Sequence, residues 1–317
     1  MKSFDSDKYF RFSHSALAQL NGCARKFELA RLYENPSYDR NQYDFAAEVG
    51  TAMHEGLQAF ARDGNKELAI LRMLSLYPHD LLSLQHRQDR DQWACVQTMD
   101  AAMEHEIFQE SEVANVDQLP GTEVSFAIEF SNLVMADGRI PVYVGLIDLV
   151  MLRLVDQTFR AVDIKTHTNP NRNRDAEYRY NAQLVPYGLC ISIMQEISLE
   201  NLRFEVSYLD LCIDVCNPLI GEYAYSVDSE RVQNWLVDFY MILQTVNKYL
   251  RASYWPQTMF GCTGFYGRAC KYLDVCSETE PEVIQSQLLA GEMPEKRRQG
   301  FDAQYVVQME APEGILA

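Results

Sequence analysis

The sequence predicts an α/β protein in which a mixed central β-sheet is flanked by helices. Strand-like apolar runs occur at about residues 122–130, 141–154 and 159–166, with helical apolar periodicity before and after them. The 317 residues are 47% hydrophobic, which is enough to fill a sizeable core in one large domain or two smaller ones. Helices on both sides of a sheet bury its two apolar faces.

The predicted elements follow one another in a simple order. Residues 1–44 form an N-terminal helical arm, and residues 45–250 form the core. The core begins with a helix at about 45–62 and continues through a helical insertion at about 66–116, where apolar residues recur at helical spacing. The three strands come next, then a helix near residue 183, a strand at about 202–211 and an amphipathic helix at 228–251. A cysteine-containing cap at 251–280 and a tail at 281–317, predicted as an extended arm, end the chain.

Two lone acids lie in neighbouring predicted strands. Asp148 follows an apolar run, and Asp163 stands two residues before Lys165 in the next strand. Because side chains alternate along a strand, Asp163 and Lys165 share one face, while Val162 and Ile164 point into the opposite layer. A turn at residues 156–157 would pair the strands and bring Asp148 beside Asp163.

Two carboxylates held close together disfavour joint ionisation unless a cation neutralises them. Mg²⁺ or Mn²⁺ suits such a pair, and the backbone carbonyl of Ile164 could add another hard oxygen ligand. Lys165 would then orient a water or stabilise developing charge during attack on a phosphorus. The alternative is a surface hairpin with ordinary charges at its ends.

Two helical segments add polar residues that could serve the same site. His54 lies beside an apolar helical stripe, and Gln183 and Tyr187 are four residues apart, hence neighbours on one helical face. A hydrogen-bonded core histidine and an ordinary polar helix shoulder are the alternatives. Pro186 lacks an N–H donor and fits a helix here only if that helix begins nearby or is kinked.

In their order along the chain, these motifs resemble the RecB-type, Cas4-like exonuclease branch of the PD-(D/E)xK nuclease superfamily. They are Gly50 to His54, Gly145 to Asp148, Asp163-x-Lys165 and Gln183-x-x-x-Tyr187. The resemblance implies a restriction-endonuclease-like fold. It also implies that His54, Asp148 and Asp163 bind metal, that Lys165 is catalytic, and that Gln183 and Tyr187 support the site and contact substrate.

Four cysteines form a second pattern, with Cys23 near one end of the chain and Cys262, Cys270 and Cys276 near the other. This distribution is similar to that of the iron–sulphur subgroup of the same nucleases, which includes AddB. The resemblance implies that the four thiolates bind a [4Fe-4S] cluster in a cap joining the terminal segments. Zinc is the less favoured occupant because paired C-x-x-C knuckles are missing, and free cysteines remain the third alternative.

The net charge of −17 argues against a broad, non-specific grip on nucleic acid. A local basic loop after the Asp-x-Lys strand could still contact a single strand of DNA; its cationic residues are His167, Arg172, Arg174 and Arg179. Neither a signal peptide nor a membrane-spanning run is present, so we expect a cytoplasmic protein without a membrane partner.

The sequence thus predicts an Mg²⁺- or Mn²⁺-dependent deoxyribonuclease, an exonuclease acting on single-stranded DNA or DNA ends. Recombination, repair, phage DNA processing and CRISPR adaptation are each compatible with that activity. No phosphate-binding glycine loop of the NTPase kind is present, so a helicase would be a separate partner, as would an adaptation protein. A homo-oligomer is also compatible. The rival hypothesis is a non-catalytic module that keeps the nuclease fold to bind DNA ends or protein.

Overall fold

The computed structural model describes most of the chain. The described residues are 1–33, 45–78, 90–116, 119–169, 174–179, 181–194, 203–214, 216–258, 262, 270, 272–289 and 301–312. They fall into two compact units. The first unit comprises Met1–Gln42, Phe126–Gly145 and Leu236–Ala317; the second comprises Tyr43–Ser125 and Leu146–Trp235.

The described strands and helices are numbered here in chain order. Strands β1 to β12 span Lys2–Phe4, Tyr9–Phe12, Ser111–Val113, Asn115–Val116, Leu119–Pro120, Thr122–Glu129, Ile140–Arg153, Phe159–His167, Arg203–Cys212, Leu219–Asp228, Phe301–Ala303 and Tyr305–Gln308. Helices α1 to α11 span His14–Gly22, Ala24–Arg31, Phe45–Asp63, Lys66–Leu76, Gln92–Met103, Glu106–Gln109, Asp175–Arg179, Leu184–Met194, Ser229–Ala252, Leu273–Cys276 and Pro281–Leu289.

The second unit contains a mixed sheet with its strands in the order β10-β9-β8-β7. β10 and β9 are antiparallel, β9 and β8 are parallel, and β8 and β7 are antiparallel. The turn between β7 and β8 carries Gln157 at a φ of 56°, and the Asp156 carboxylate accepts the N–H of Thr158 at 3.1 Å. The predicted mixed sheet is therefore present, and Asp156 and Gln157 form its predicted hairpin turn.

Helices α3, α4 and α5 cover one face of this sheet. Their apolar side chains form a continuous buried cluster with residues from three strands, including Val162 and Ile164 of β8 and Leu209 of β9. Gly50 of α3 allows a close approach to β8, because a Cβ there would lie 3.2 Å from Thr166 Oγ1. The alternation predicted for β8 is confirmed, since Val162 and Ile164 enter this core and leave Asp163 on the other face.

Helix α8 packs on β8 and β9. It begins at Leu184, so Gln183 lies in the turn just before it and Pro186 lies in its first turn. The first four N–H groups of a helix have no partner within the helix, so the proline removes no helical hydrogen bond. Pro186 was expected to fit only if the helix began nearby or was kinked, and α8 does begin nearby, at Leu184.

The first unit is assembled from segments that are far apart in sequence. β2 pairs in parallel with the first residues of β7, β12 pairs in parallel with the end of β6, and β1 pairs with β11. A small apolar cluster joins them; it contains Phe4, Tyr9, Ala127, Val142, Val144 and Ala303. Strands in the N-terminal arm and in the tail were not predicted, and the tail also contains α11.

Other element predictions agree closely with the structure. The strands predicted at about 122–130, 141–154, 159–166 and 202–211 correspond to β6, β7, β8 and β9. The helix predicted at 228–251 corresponds to α9, whereas β10 was missed. The insertion predicted as helical at about 66–116 is helical through α4, α5 and α6, but the prediction is wrong at its end, where β3 and β4 form strands; residues 79–89 lie outside the described part. Across the described residues, no helix has both the length and the apolar character needed to cross a membrane.

Candidate functional site

The site lies in the second unit, where β7 and β8 stop pairing. Their backbone ladder ends at the pair Leu149 and Val162, so Asp148 and Asp163 occupy the next two facing positions. There the Ile164 N–H donates to Asp148 Oδ2 at 2.8 Å. β8 stays paired with β9 as far as His167, which holds it in place while β7 separates. The end of the ladder therefore presents two carboxylates on one face.

Asp163 has polar contacts with three other residues of the site and is only 2% exposed. Its Oδ1 accepts a hydrogen bond from Gln183 Nε2 at 3.1 Å and lies 3.1 Å from the Tyr187 hydroxyl. That hydroxyl also lies 2.9 Å from the carbonyl oxygen of Leu146, so its single proton has two acceptors within reach. Gln183 Nε2 donates to the Tyr187 oxygen as well. The two residues predicted on one helical face therefore meet at the predicted carboxylate.

The other oxygen of Asp163 faces the candidate catalytic lysine. Lys165 Nζ lies 2.5 Å from Asp163 Oδ2, yet this buried oxygen accepts no hydrogen bond of acceptable geometry. Burial raises the pKa of Asp163, the Lys165 charge opposes that rise, and the Asp148 charge adds to it. Burial alone would lower the pKa of Lys165, but Asp163 and Asp148 together raise it. The ammonium is thus held in its charged form beside the carboxylates.

His54 of α3 reaches the second carboxylate, with Nδ1 3.4 Å from Asp148 Oδ2. Burial acts to lower the pKa of His54, but its hydrogen bond and charge interaction with Asp148 raise it overall. Burial acts to raise the pKa of Asp148, but His54 and the Ile164 N–H lower it overall. A further acid near the site, Glu123, was not predicted from the sequence. Burial raises the pKa of Glu123 most, and the charges of Glu55 and then Asp148 raise it further.

A hard divalent cation fits the chemistry of these donors. Carboxylate oxygens and a carbonyl are the ligands that Mg²⁺ and Mn²⁺ prefer, and Asp163 Oδ2 is a buried acceptor with no well-directed donor. The described residues contain no set of three histidine, cysteine or acidic side chains already arranged to hold a metal ion. Binding would therefore require side-chain adjustment, beginning with the His54 contact to Asp148.

The residues predicted to contact DNA differ in exposure. His167 is 8% exposed, and its Nε2 lies 2.9 Å from Asp210 Oδ2. Arg174 is 8% exposed and pairs with Glu177 at 3.2 Å, whereas Arg179 lies at the surface and pairs with Asp175. Arg172 lies outside the described residues. A surface arginine can reach a phosphate more readily than two side chains that are already buried.

Sequence reasoning also missed the partners of His167. Asp210 of β9 accepts a hydrogen bond from Tyr178 on its other oxygen, and Tyr178 stacks on Tyr208 with ring centroids 4.3 Å apart. Asp210 is a lone acid between Leu209 and Leu211, the same signal that drew attention to Asp148. An isolated acid in an apolar strand is therefore the pattern in the sequence that points to Asp210.

The four cysteines of the second pattern all belong to the first unit. The Cys270 N–H donates to the Cys262 carbonyl at 2.8 Å, and α10 ends at Cys276. Burial raises the pKa of Cys276, and the charges of Cys23, Cys262 and Cys270 raise it further. Residues 23 and 276 are therefore close enough to interact electrostatically, although no three of these thiols among the described residues form a ready metal site. Soft thiolate donors suit iron or zinc.

A family model of the PD-(D/E)XK nuclease superfamily matches residues 11–277, which is most of the chain. This chain belongs to the PD-(D/E)XK nuclease superfamily. Membership implies a hydrolase that acts on nucleic acid, and the matched residues of this nuclease include His54, Asp148, Asp163 and Lys165. Its mixed sheet with flanking helices is consistent with the restriction-endonuclease-like fold.

Two further comparisons add little about this nuclease. No curated protein matches its sequence. A solved structure titled "Crystal structure of SSO0001" aligns with 61% of this chain and 74% of its own chain, at 15% identity and a TM-score of 0.25. Superposition at that level supports no functional argument.

Proposed function

We propose that this nuclease is an Mg²⁺- or Mn²⁺-dependent DNA exonuclease of the RecB-type, Cas4-like branch. The observation that carries the proposal is the convergence on Asp163 of Lys165, Gln183 and Tyr187, with Asp148 and His54 alongside. Their spacing in the sequence was the basis of the resemblance, and their proximity in the second unit agrees with it. Nuclease activity follows from the superfamily; the exonuclease mode and the DNA substrate are proposals.

Each residue has a role that its contacts support. Asp148, Asp163, His54 and the Ile164 carbonyl would hold the cation, which supplies a Lewis acid that activates water and neutralises phosphate charge. Lys165 keeps its proton because two carboxylates lie near it, so its ammonium can stabilise negative charge that develops on the phosphate.

Gln183 and Tyr187 fix the orientation of Asp163 through their contacts with its Oδ1. A carboxylate with two hydrogen-bonding neighbours on one oxygen keeps the other oxygen aimed at the site, which reduces the entropy lost when a ligand binds. Substrate contact by these two residues, implied by the resemblance, remains part of the proposal.

The proposal extends to a [4Fe-4S] cluster held by Cys23, Cys262, Cys270 and Cys276 in the first unit. The mutual electrostatic influence of these thiols on Cys276 supports it. A bound cluster would link distant chain segments through its thiolate ligands, and the four thiolates would neutralise part of its iron charge. Zinc remains the alternative occupant.

Single-stranded DNA or a DNA end is the proposed substrate. Arg179 at the surface, with Arg172 and Arg174 in the same stretch of sequence, would supply local positive charge in a strongly acidic protein, whereas His167 is paired with Asp210. Such limited basic surface favours contact with a short, exposed strand over a wide grip on duplex. A separate helicase, recombination protein or adaptation protein would present that strand.

The function is tested by incubating purified protein with end-labelled single- and double-stranded DNA in Mg²⁺, in Mn²⁺ and in EDTA. We expect metal-dependent degradation by the wild type and a loss of about 100-fold or more in Asp163→Ala and Lys165→Ala. Lys66→Ala and Asp100→Ala are matched controls, because those residues form an ion pair at the surface, at 3.2 Å. Full activity in both site variants would reject the assignment, and metal binding without cleavage by the wild type would favour a non-catalytic module.

A further inference from the structure

A second acidic residue, which the proposed chemistry does not use, occupies the strand position next to Lys165. Lys165 of β8 and Asp210 of β9 are direct partners in the parallel ladder, so their side chains project from the same face of the sheet. Asp210 is 6% exposed. A buried carboxylate next to an ammonium is expected to form an ion pair with it. Among the described residues, however, the ion-pair partner of Lys165 is Asp163 and not Asp210.

Both oxygens of Asp210 are already engaged. Oδ2 lies 2.9 Å from His167 Nε2, and Oδ1 accepts the hydroxyl proton of Tyr178. His167 Nδ1 accepts the Asn169 N–H at 3.2 Å, which leaves the ring proton on Nε2, where it is donated to Asp210. Because Asp210 has a donor on each oxygen, it gains little by attracting Lys165 away from Asp163.

Tyr178 also packs against Tyr208, whose ring lies near the lysine. Its ring stacks on that of Tyr208 with centroids 4.3 Å apart and planes 21° from parallel. Tyr208 is the ladder partner of Asp163, is completely buried, and has its ring centroid 6.0 Å from Lys165 Nζ. An aromatic face at that distance attracts an ammonium weakly. The hydrogen bond from Tyr178 to Asp210 thus also fixes the stacked pair.

We propose that the His167–Asp210–Tyr178 network positions Lys165 by occupying the competing carboxylate, so that the ammonium is directed to Asp163. The three residues are positioning residues that touch neither substrate nor metal. This inference rests on the proposed function only in treating Lys165 as the group whose position matters for catalysis. The placement of the lysine itself can be measured without any cleavage.

The test first removes the two donors that hold Asp210 and then removes the Asp210 carboxylate itself. The double variant Tyr178→Phe/His167→Ala removes both donors from Asp210 while the phenylalanine keeps the ring stack. We expect kcat for labelled single-stranded DNA to fall about tenfold with KM little changed, because the released carboxylate draws Lys165 away. Adding Asp210→Leu removes the competitor together with its unmet hydrogen bonds, and we expect kcat to return to within about threefold of the wild type.

A crystal structure of the double variant provides a readout that does not depend on activity. We expect Lys165 Nζ within hydrogen-bond distance of Asp210. An ammonium still paired with Asp163, or a triple variant no more active than the double, would overturn the inference by showing that the network only stabilises the fold. Thermal unfolding checks that the variants fold. If the double variant does not, Tyr178→Phe alone and Tyr178→Phe/Asp210→Leu provide the same comparison, since Tyr178→Phe removes only one oxygen atom.

Discussion

At the scale of single residues, Asp163 determines how the site is built. One of its oxygens is held by Gln183 and Tyr187, and the other lies against Lys165. Burial and the nearby Asp148 both raise the pKa of Asp163, so its ionised form depends on positive charge close by. Lys165 supplies part of that charge in the protein alone, and a divalent cation would supply the rest.

Removing the Tyr187 hydroxyl should weaken both catalysis and stability. In Tyr187→Phe, Asp163 Oδ1 and the Leu146 carbonyl lose a neighbour that lies within 3.1 Å and 2.9 Å. We expect kcat to fall about tenfold as Asp163 loses orientation, and the free energy of unfolding to fall by about 1 kcal/mol. DNA cleavage and urea unfolding measure the two effects. Tyr240→Phe is the matched control, because Tyr240 is buried and its pKa is raised by burial alone; equal losses in both variants would contradict the assignment.

His54 gives the metal-free protein a specific dependence on pH. Burial acts to lower the pKa of His54, but Asp148 raises it overall, so the folded protein holds this proton more tightly than the unfolded chain does. The resulting stabilisation is fully present below the unfolded pKa of about 6.5 and is lost as pH rises through the folded pKa. The lowered pKa of Asp148 keeps that carboxylate charged throughout this window.

Two measurements test this loss of stability with rising pH. In EDTA, we expect the free energy of unfolding of the wild type to decrease relative to that of His54→Gln as pH rises from about 6.5. Mn²⁺ affinity should increase over the same range, because a histidine ligand must be neutral. A constant difference between the two proteins across this range would show that His54 is not linked to folding in this way.

Sequence alone predicted which residues meet at the candidate site, but it did not predict the hydrogen-bond network of Asp210, Tyr178 and His167 beside them. Alternation in β8 was sufficient to place Asp163 and Lys165 on one face, and Val162 and Ile164 in the core. The role of Asp210 could not be read in the same way, since its partners Tyr178 and His167 come from separate elements. That network exists only because β8 and β9 pair in parallel, a register that local sequence does not specify.

At the scale of elements, the close packing of α3 sets where His54 lies. Gly56 has no space for a side chain, because a Cβ there would lie 2.8 Å from Met99 Cε, 2.9 Å from Met73 Cβ and 3.0 Å from the Ala69 carbonyl oxygen. The helix can therefore approach α4 and α5 only while this residue is glycine. His54 is carried on the same helix, two residues earlier.

Gly56→Ala should therefore destabilise the protein although alanine favours helices. We expect the overpacking to cost about 1–3 kcal/mol of unfolding free energy. Gly22→Ala is the control, because Gly22 lies in α1 with no atom within 4 Å of its Cβ position. That change should be neutral or stabilising by about 0.5 kcal/mol. Urea midpoints compare the two variants, and a destabilisation confined to Gly22→Ala would contradict the packing account.

Elements with strong local periodicity were predicted well, and elements formed by distant pairing were not. α9 is a long amphipathic helix whose pattern is complete within its own residues. β1, β2, β11 and β12 are three or four residues long and pair with segments far away in sequence. Such short strands carry too few residues for an alternation to be visible.

At the scale of the whole molecule, the chain brings residues from its two ends together within the first unit. Cys23 influences the pKa of Cys276, and the Arg25 side chain donates to the Cys276 carbonyl at 3.3 Å. The sequence distribution of the cysteines predicted this proximity through a family resemblance. Composition and spacing alone could not have done so, because 238 residues lie between Cys23 and Cys262.

Loss of a cluster ligand should be visible as loss of colour and of stability. We expect protein purified without oxygen to be brown and to contain iron, and Cys23→Ser and Cys276→Ser to lose both iron and thermal stability. Cys216→Ser is the control, because Cys216 is an exposed thiol in the second unit. Metal analysis decides the occupant: zinc alone would replace the iron proposal, and no metal in the wild type would leave these cysteines as free thiols.

The claim on which the account rests is that the two facing carboxylates hold a divalent cation where β7 and β8 separate. Anomalous diffraction from crystals grown in Mn²⁺ tests it most directly. The account predicts a manganese peak within about 2.5 Å of carboxylate oxygens of both Asp148 and Asp163, with Lys165 still beside Asp163. A peak elsewhere in the protein, or no peak at saturating Mn²⁺, would contradict it.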